Sequence, residues 1–288
     1  MSQDRLVASL DIDRRSSLEI VRIIQEQDRL VAAAVAHEEE RIARAVEEIA
    51  GRLSRGGRLF YAGAGTSGRI AMLDAAELPP TFGVESSLVQ VLMAGGERAF
   101  LAAAEGAEDD EAAAAEAVNR NVTAGDALVG IAASGTTPYT AAAVRRAKEL
   151  GAFTAGVTSA PDSPLARNVD IAIVAQTGPE VIMGSTRMKS GTAQKLILNA
   201  ISTGVMVRLG RVYSNLMIEM PVTNEKLHRR GVRMVELAAG VSREAAEEAL
   251  READGVVKLA AVMAKRRVPA DEARRLLAKR TLREVLEG

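Results

Sequence analysis

Two periods govern where apolar residues fall along this chain. In the first fifty-odd residues Val35, Ile42, Val46, Ile49 and Leu53 recur at steps of seven, four, three and four, which places them on one face of a helix. The opposite face carries Glu38, Glu39, Glu40 and Arg41 and reads as solvated. From about residue 58 short apolar runs alternate with longer helical patterns. The runs at 58–62, 88–92, 127–132, 153–157 and 171–174 read as strands, with helical stretches between them at 97–119 and 139–150 among others. Such alternation predicts right-handed βαβ units and a parallel sheet. Residues 187–209 form a long apolar helical pattern. From Gly231 short helices follow, with Ser242 as an N-cap, Asp254 and Gly255 as punctuation and Pro269 opening another helix. The expected organisation is α/β in three parts: N-terminal helices over 1–56, a three-layer αβα domain over 57–230 and a small helical region over 231–288.

Composition narrows the chemistry. Hydrophobic residues make up 48% and charged residues 26%, an ordinary globular balance. Lys plus Arg is 37 and Asp plus Glu 38, so the formal charge of −1 gives no bulk attraction to nucleic acid or an anionic membrane. With no Cys, thiolate metal sites and Cys nucleophiles are excluded; with only His37 and His228, so is a His-rich metal cluster. His37 reads as a surface residue, and His228 sits in a polar run of a helix. Aromatics at 2% argue against a base-stacking platform. The start lacks a basic segment followed by an apolar run, and no apolar stretch approaches the ~20 residues that span a bilayer. The expectation is a cytoplasmic protein without metal or cofactor, and without nucleic-acid or membrane partners.

Three Gly/Ser/Thr clusters stand at strand ends, where ligands bind on parallel sheets. Gly63, Gly65, Thr66, Ser67, Gly68 and Arg69 superficially fit a dinucleotide fingerprint, but the two hydroxyls suit a single phosphate or sugar hydroxyls better. One such cluster is explained as well by a tight turn. Ser134, Gly135, Thr136 and Thr137 repeat the chemistry ahead of Pro138, a residue suited to open a helix. Ser185, Thr186, Arg187, Met188 and Lys189 open the long helix. Free N–H groups and hydroxyls at helix starts favour an anion, and one phosphosugar pocket accounts for all three clusters. Phosphate recognition is expected at Ser67, Ser134 and Thr137. Among carboxylates, Asp74 and Glu77 precede Pro79 and Pro80. The double Pro is expected to end the helix, setting Glu77 at an element end near the sheet edge where the pocket should lie. Spacing alone does not separate Glu108 from Glu105, Asp109, Asp110 and Glu111.

Four blocks resemble the N-acetylmuramic acid 6-phosphate etherases, within the wider group of sugar-isomerase (SIS) domain proteins: GAGTSGRIAMLDAAELPPTFG at 63–83, GIAASGTTPYT at 130–140, GPEVIMGSTRMKSGTAQKLILNAIST at 178–203 and TNEKLH at 223–228. The resemblance runs from about Asp11 to the C-terminus. Two positions depart from the family pattern: no Thr-Glu-x-x-Asn segment precedes Asp11, and Thr136 stands where Arg is common. The resemblance implies an SIS-type parallel sheet flanked by helices. It also implies a lyase that cleaves the D-lactyl ether of N-acetylmuramic acid 6-phosphate in cell-wall amino-sugar recycling. By the family's roles Glu77 is the proton donor and Glu108 the base; the donor role calls for a raised pKa at Glu77, which burial behind Pro79 and Pro80 is expected to supply. The three clusters place Thr66, Ser67, Arg69, Ser134, Gly135, Thr136, Thr137, Ser185, Thr186 and Lys189 around the substrate. Arg69, Arg187 and Lys189 are candidates for the lactyl carboxylate. The family also implies a homodimer. Two other functions compete: an SIS-type aldose–ketose isomerase of a sugar phosphate, and a non-catalytic sugar-phosphate sensor resembling the glucokinase regulatory proteins.

Overall fold

The computed structural model describes residues 4–102 and 104–288, so the first three residues of the N-terminal reading and Ala103 of the 97–119 helix lie outside the described residues. Two short 3-10 turns lead into α1 (Ser17–Ala36) and α2 (Glu39–Leu53). Then follow β1 (Leu59–Gly63), α3 (Gly65–Phe82), β2 (Val89–Met93), α4 (Arg98–Leu101), a 3-10 turn (Ala107–Asp109), α5 (Glu111–Asn121), β3 (Ala127–Ile131), α6 (Pro138–Glu149), β4 (Phe153–Thr158), α7 (Pro164–Asn168), β5 (Ile171–Val174) and α8 (Lys189–Arg208). Five further helices complete the chain: α9 (Glu225–Ala239), α10 (Arg243–Glu252), α11 (Val257–Arg266), α12 (Ala270–Lys279) and α13 (Leu282–Glu287).

The chain divides into two compact units, Met1–Ala76 with Ser87–Val205, and Glu77–Ser86 with Met206–Gly288. The first is built on a parallel sheet of order β2-β1-β3-β4-β5. Every residue of β1, β3 and β4 is buried, as expected of parallel strands covered on both faces. Phe60, Ala62 and Leu128 pack on one face against Ala114 and Val118 of α5, Ala143 and Ala147 of α6 and Leu165 of α7. Tyr61 points the other way, since side chains alternate along a strand, and meets α3 and α8 through Asp74. The chain leaves β1 towards β2 on one side and β3 on the other, so the crevice of a doubly wound sheet opens between the carboxyl ends of β1 and β3.

At the amino ends, Asp126 fastens the same two strands. Its carboxylate accepts the N–H groups of Arg58 (2.7 Å) and Thr123 (2.8 Å) and the Thr123 hydroxyl (2.9 Å). The second unit has its own apolar core of Ile218, Val235, Leu250, Val262 and Val285. Its helices are capped locally: Asn224 accepts from the Leu227 N–H (2.9 Å), Ser242 accepts from that of Ala245 (3.3 Å), and Thr281 forms a capping box with Glu284.

Four expectations are corrected. The 97–119 stretch is not one helix but α4, a 3-10 turn and α5: α4 ends at Ala102, whose backbone is extended, and Gly106 (φ 74°) enters the 3-10 turn in a left-handed conformation that no continuous helix allows. The α3 helix does not end at the double Pro but runs through Pro79 and Pro80 to Phe82. Each Pro removes one i→i−4 bond, and the helix still closes with the Gly83 N–H on the Pro79 carbonyl (3.0 Å). Glu38 is not on a solvated face: it is buried and accepts the N–H of Val174 at the end of the edge strand β5 (3.1 Å). TNEKLH is not internal to a helix but starts α9, with Asn224 as its cap.

The Asp126 carboxylate gives a test of the strand anchor. Burial alone raises its pKa, but the donors from Thr123 and Arg58 outweigh burial and hold it below the usual aspartate value. A depressed folded pKa stabilises above the unfolded value of about 3.9 and is lost as pH falls through the folded one. Asp126→Asn is therefore expected to cost about 1.5–3 kcal/mol in urea unfolding at pH 7. The gap to the parent should narrow in the same measurement as pH falls below about 3.9.

Candidate functional site

The first cluster is shaped by two close approaches. A Cβ on Gly63 would lie 3.0 Å from the Gly68 N, and one on Gly68 would lie 2.0 Å from the Met93 Sδ. The first turn of α3 therefore sits directly on the end of β1, with half-buried Thr66 and Ser67 at the crevice. The second cluster is its neighbour, because Gly63 and Ile131 are partners across the sheet. Its loop is folded on itself: the Ser134 hydroxyl pairs with that of Thr136 (2.8 Å) and accepts the Thr136 N–H (3.2 Å). Gly135 has φ 66°, and a Cβ there would meet the Ser163 Oγ at 2.1 Å. Thr137 stands at the N-cap of α6 without a side-chain cap bond, so its hydroxyl is not consumed by the helix. The third cluster converges on the first, since a Cβ on Gly191 would lie 3.7 Å from Thr66 Cγ2.

The third cluster nevertheless differs from the expected anion site. The fully buried Glu180 accepts the N–H groups of Lys189 and Ser190, both at 3.0 Å, so the start of α8 already holds a carboxylate. Lys189 is 1% exposed and donates its Nζ to Gln27 Oε1 of α1 (2.9 Å). Burial pulls its ammonium below the usual lysine range, against the fields of Glu180 and Asp28. Ser185 and Thr186 remain half-buried in the turn ahead of the helix, and Arg187 is exposed. Glu180 escaped sequence reading because a helix cap is normally adjacent to its helix, whereas this one lies nine residues upstream of Lys189.

A cavity of 230 Å³ opens at the carboxyl edge beside Gly65 and Arg69, with Met93 and Ala94 on one side and Glu105, Gly106 and Glu108 on another. The acidic run thereby resolves. Asp110 caps α5 by accepting the Ala113 N–H (2.8 Å), Glu111 pairs with Arg145 (2.8 Å), and Glu105 and Glu108 line the cavity. Arg69 is turned to the backbone: its Nε donates to the Phe100 carbonyl (3.1 Å) and its Nη2 to those of Ala99 (2.9 Å) and Ala102 (3.1 Å). A wider hollow of 690 Å³ lies at the amino ends of β4 and β5. Size favours it but chemistry does not: Arg52 is paired with Glu48 and Lys148 with Asp170, and no Gly/Ser/Thr loop faces it.

The two candidate carboxylates differ from the structural ones. Asp74 is buried and accepts from the Tyr61 hydroxyl (2.9 Å), Asn199 Nδ2 (2.7 Å) and the Ser202 hydroxyl (3.0 Å). Burial, with the Asp74 charge beside it, pushes the Tyr61 phenol well above its usual range, so it stays a donor. Glu77, on α3, is exposed rather than buried behind Pro79 and Pro80, because the helix continues past it. Glu108 is also exposed. Among the described residues neither Glu77 nor Glu108 has a hydrogen-bonding or ionic partner. His37 caps the end of α1 in an exposed position, and His228 is half-buried on α9. No group of His, Cys, Asp and Glu suited to a metal ion occurs among the described residues.

Residues 41–148 match the family model of the glucokinase regulatory protein N-terminal SIS domain, and residues 104–203 match that of the SIS domain. The chain is 57% identical over 262 residues to an N-acetylmuramic acid 6-phosphate etherase of Symbiobacterium thermophilum, covering 91% of this chain and 87% of that one. It is 49% identical over 274 residues to an etherase of the same name from Clostridium beijerinckii, covering 95% and 90%. This chain belongs to the N-acetylmuramic acid 6-phosphate etherase family. Two solved structures share the fold of this etherase-family chain. A phosphoheptose isomerase from Neisseria gonorrhoeae has a TM-score of 0.51 at 18% identity and covers 66% of this chain and 99% of its own. One from Francisella tularensis has a TM-score of 0.50 at 19% identity, covering 67% and 100%.

In the etherase-family chain Asp74 is thus a strut, and its removal has a definite expected cost. Asp74→Ala leaves the buried Tyr61 and Ser202 hydroxyls without their acceptor and should destabilise by about 3 kcal/mol or more. Tyr61→Phe, which removes one donor only, should cost about 1 kcal/mol. Urea unfolding of both variants checks the order.

Proposed function

We propose that the crevice between β1 and β3 holds a phosphosugar and that the chain cleaves the D-lactyl ether of N-acetylmuramic acid 6-phosphate. The products are N-acetylglucosamine 6-phosphate and D-lactate, as in the recycling of peptidoglycan amino sugars. The observation that carries the reading is identity of 57% over 91% of the chain to an etherase, joined to a cavity lined by Glu108 at the carboxyl edge of an SIS-type sheet. The glucokinase regulatory model matches only 41–148, and the isomerase likeness is one of fold, so neither competing function is favoured.

The phosphate is held by Ser67, Ser134, Thr137 and the backbone around them, where hydroxyls and helix starts meet. In the open-chain sugar the C2 hydrogen is α to the aldehyde. Glu108, as carboxylate, removes it; the lactyl oxygen on C3 then departs as Glu77 gives it a proton. Water adds at C3, returning a proton to Glu77, and C2 regains one from Glu108. One water enters and one D-lactate leaves, with both glutamates restored. Each proton transfer of this kind contributes about 10²–10⁴-fold. Because Arg69 and Lys189 are engaged elsewhere, exposed Arg187 is the remaining cation for the lactyl carboxylate.

No described helix is long and apolar enough to cross a membrane. The α1 helix supports a homodimer: of its 20 residues only Val31 is buried, while Leu18, Val21 and Leu30 are 59%, 46% and 53% exposed. An amphipathic helix with so little of its apolar surface covered marks an interface. Light scattering at micromolar concentration should give twice the chain mass, and a fully active monomer would refute the dimer.

The two glutamates separate by hydrogen exchange. The base is needed for any exchange at C2, the acid only when a C3–O bond breaks or forms. Glu108→Gln should lose both ether cleavage and deuterium uptake at C2 of N-acetylglucosamine 6-phosphate in heavy water. Glu77→Gln should lose cleavage by at least about 100-fold and retain exchange. The opposite pattern in the NMR spectrum would reverse the roles.

A further inference from the structure

We propose that Arg69 is a positioning residue for Glu108: through three backbone carbonyls it clamps the segment that carries this glutamate to the first turn of α3. The proposal rests on the reading of Glu108 as the base. A guanidinium has one N–H on Nε and two on Nη2. Here the Nε donor goes to Phe100 and the two Nη2 donors to Ala99 and Ala102, at 3.1, 2.9 and 3.1 Å. A forked grip on a carboxylate needs donors from two nitrogens. Only Nη1 has donors left, so the geometry that would recognise the lactyl carboxylate is already spent on the protein.

The clamped segment is only partly packed: Ala99 is buried, and Ala107 lies against the core cluster that α5 and α6 share. The α4 helix is one turn long, and Leu101, between two of the clamped carbonyls, is 95% exposed. Glu105 follows within a few residues, and Glu108 stands on the 3-10 turn entered through Gly106. Gly95 supplies an independent second hold. It has φ 82°, and a Cβ on it would lie 2.6 Å from Ala104 Cβ and 3.2 Å from Ala107 Cβ, so the segment packs directly on the turn after β2. Clamp and glycine meet at Ala99, whose Cβ would lie 3.3 Å from a Cβ on Gly95, and both bear on where the Glu108 carboxylate stands relative to Gly65 and the first cluster.

The test uses the full-length protein with N-acetylmuramic acid 6-phosphate and N-acetylglucosamine 6-phosphate. Arg69→Met should lower kcat for ether cleavage by about 100-fold, the scale of a 1 Å misplacement. It should lower C2 exchange by the same factor and leave KM within about threefold. Amide hydrogen exchange should quicken over 98–109 and stay unchanged in β1 and β3. Arg69→Lys, whose single ammonium cannot span three carbonyls, should fall between Arg69→Met and the parent. Gly95→Ala should reproduce both kinetic losses without touching Arg69, and it serves as the test if Arg69→Met does not fold. A tenfold or greater rise in KM for the lactyl-bearing sugar, with C2 exchange in N-acetylglucosamine 6-phosphate unchanged, would overturn the proposal and make Arg69 a carboxylate ligand. If instead Glu108→Gln keeps its C2 exchange, the base assignment and the catalytic part of the proposal fall together. Faster amide exchange confined to 98–109 in Arg69→Met would still identify the clamp.

Discussion

The contact between Gly63 and Gly68 is the constraint on which the rest of the first unit depends. With no room for a methyl group on either residue, the first turn of α3 rests on the last residue of β1. That placement fixes where α3 can reach. Thr66 and Ser67 fall at the crevice, Arg69 meets the carbonyls of Ala99, Phe100 and Ala102, and Asp74 arrives beneath the sheet to join Tyr61 of β1 with Asn199 and Ser202 of α8. A side chain at residue 68 would have to displace Met93, which itself lines the cavity. Packing and site are therefore set by the same two glycines, as in other folds where a strand passes straight into a phosphate-binding helix.

The strands were legible because a parallel sheet covered on both faces writes itself as continuous apolar runs; each run lies within a residue of its strand. What stayed hidden was non-local. Glu38 reads as one more charge in an acidic run until β5 brings the Val174 N–H to it, and Glu180 reads as a loop residue until α8 turns back on it. The double Pro misled because local preference disfavours the helix by only a few kcal/mol, less than surrounding structure can outweigh. The break at Gly106 was written in the sequence, but alanines on both sides masked it with high helix propensity. The three clusters were legible as loops at the carboxyl ends of strands; that Glu105 and Glu108 line a cavity there was not, because neighbouring acids differ only in what the fold sets opposite them.

The carboxylates sort by what they hold. Glu38, Asp74, Asp126 and Glu180 are each buried and each hydrogen-bonded by backbone or side-chain donors. A buried charge without such donors would cost several kcal/mol, so these four are committed to structure. Glu77 and Glu108 are exposed and unpartnered among the described residues. Exchange of a proton with a substrate needs a carboxyl whose lone pairs are not already taken, and these two meet that condition where the buried four do not.

Glu180 also bears on how an anionic substrate is oriented. The proposed substrate carries two anions, a phosphate at one end and a lactyl carboxylate near the reacting carbon. The start of α8 lies against Thr66, close to the first cluster, and an open helix start there would attract either anion. With Glu180 seated on the N–H groups of Lys189 and Ser190, that attraction is cancelled by a fixed carboxylate. In the proposed site the starts of α3 and α6, side by side at the ends of β1 and β3, then serve as the anion-binding surface. A phosphate anchored there has a single address, and the sugar extends from it in one direction. A helix start that sequence reading assigns to the ligand thus serves the site by being already filled.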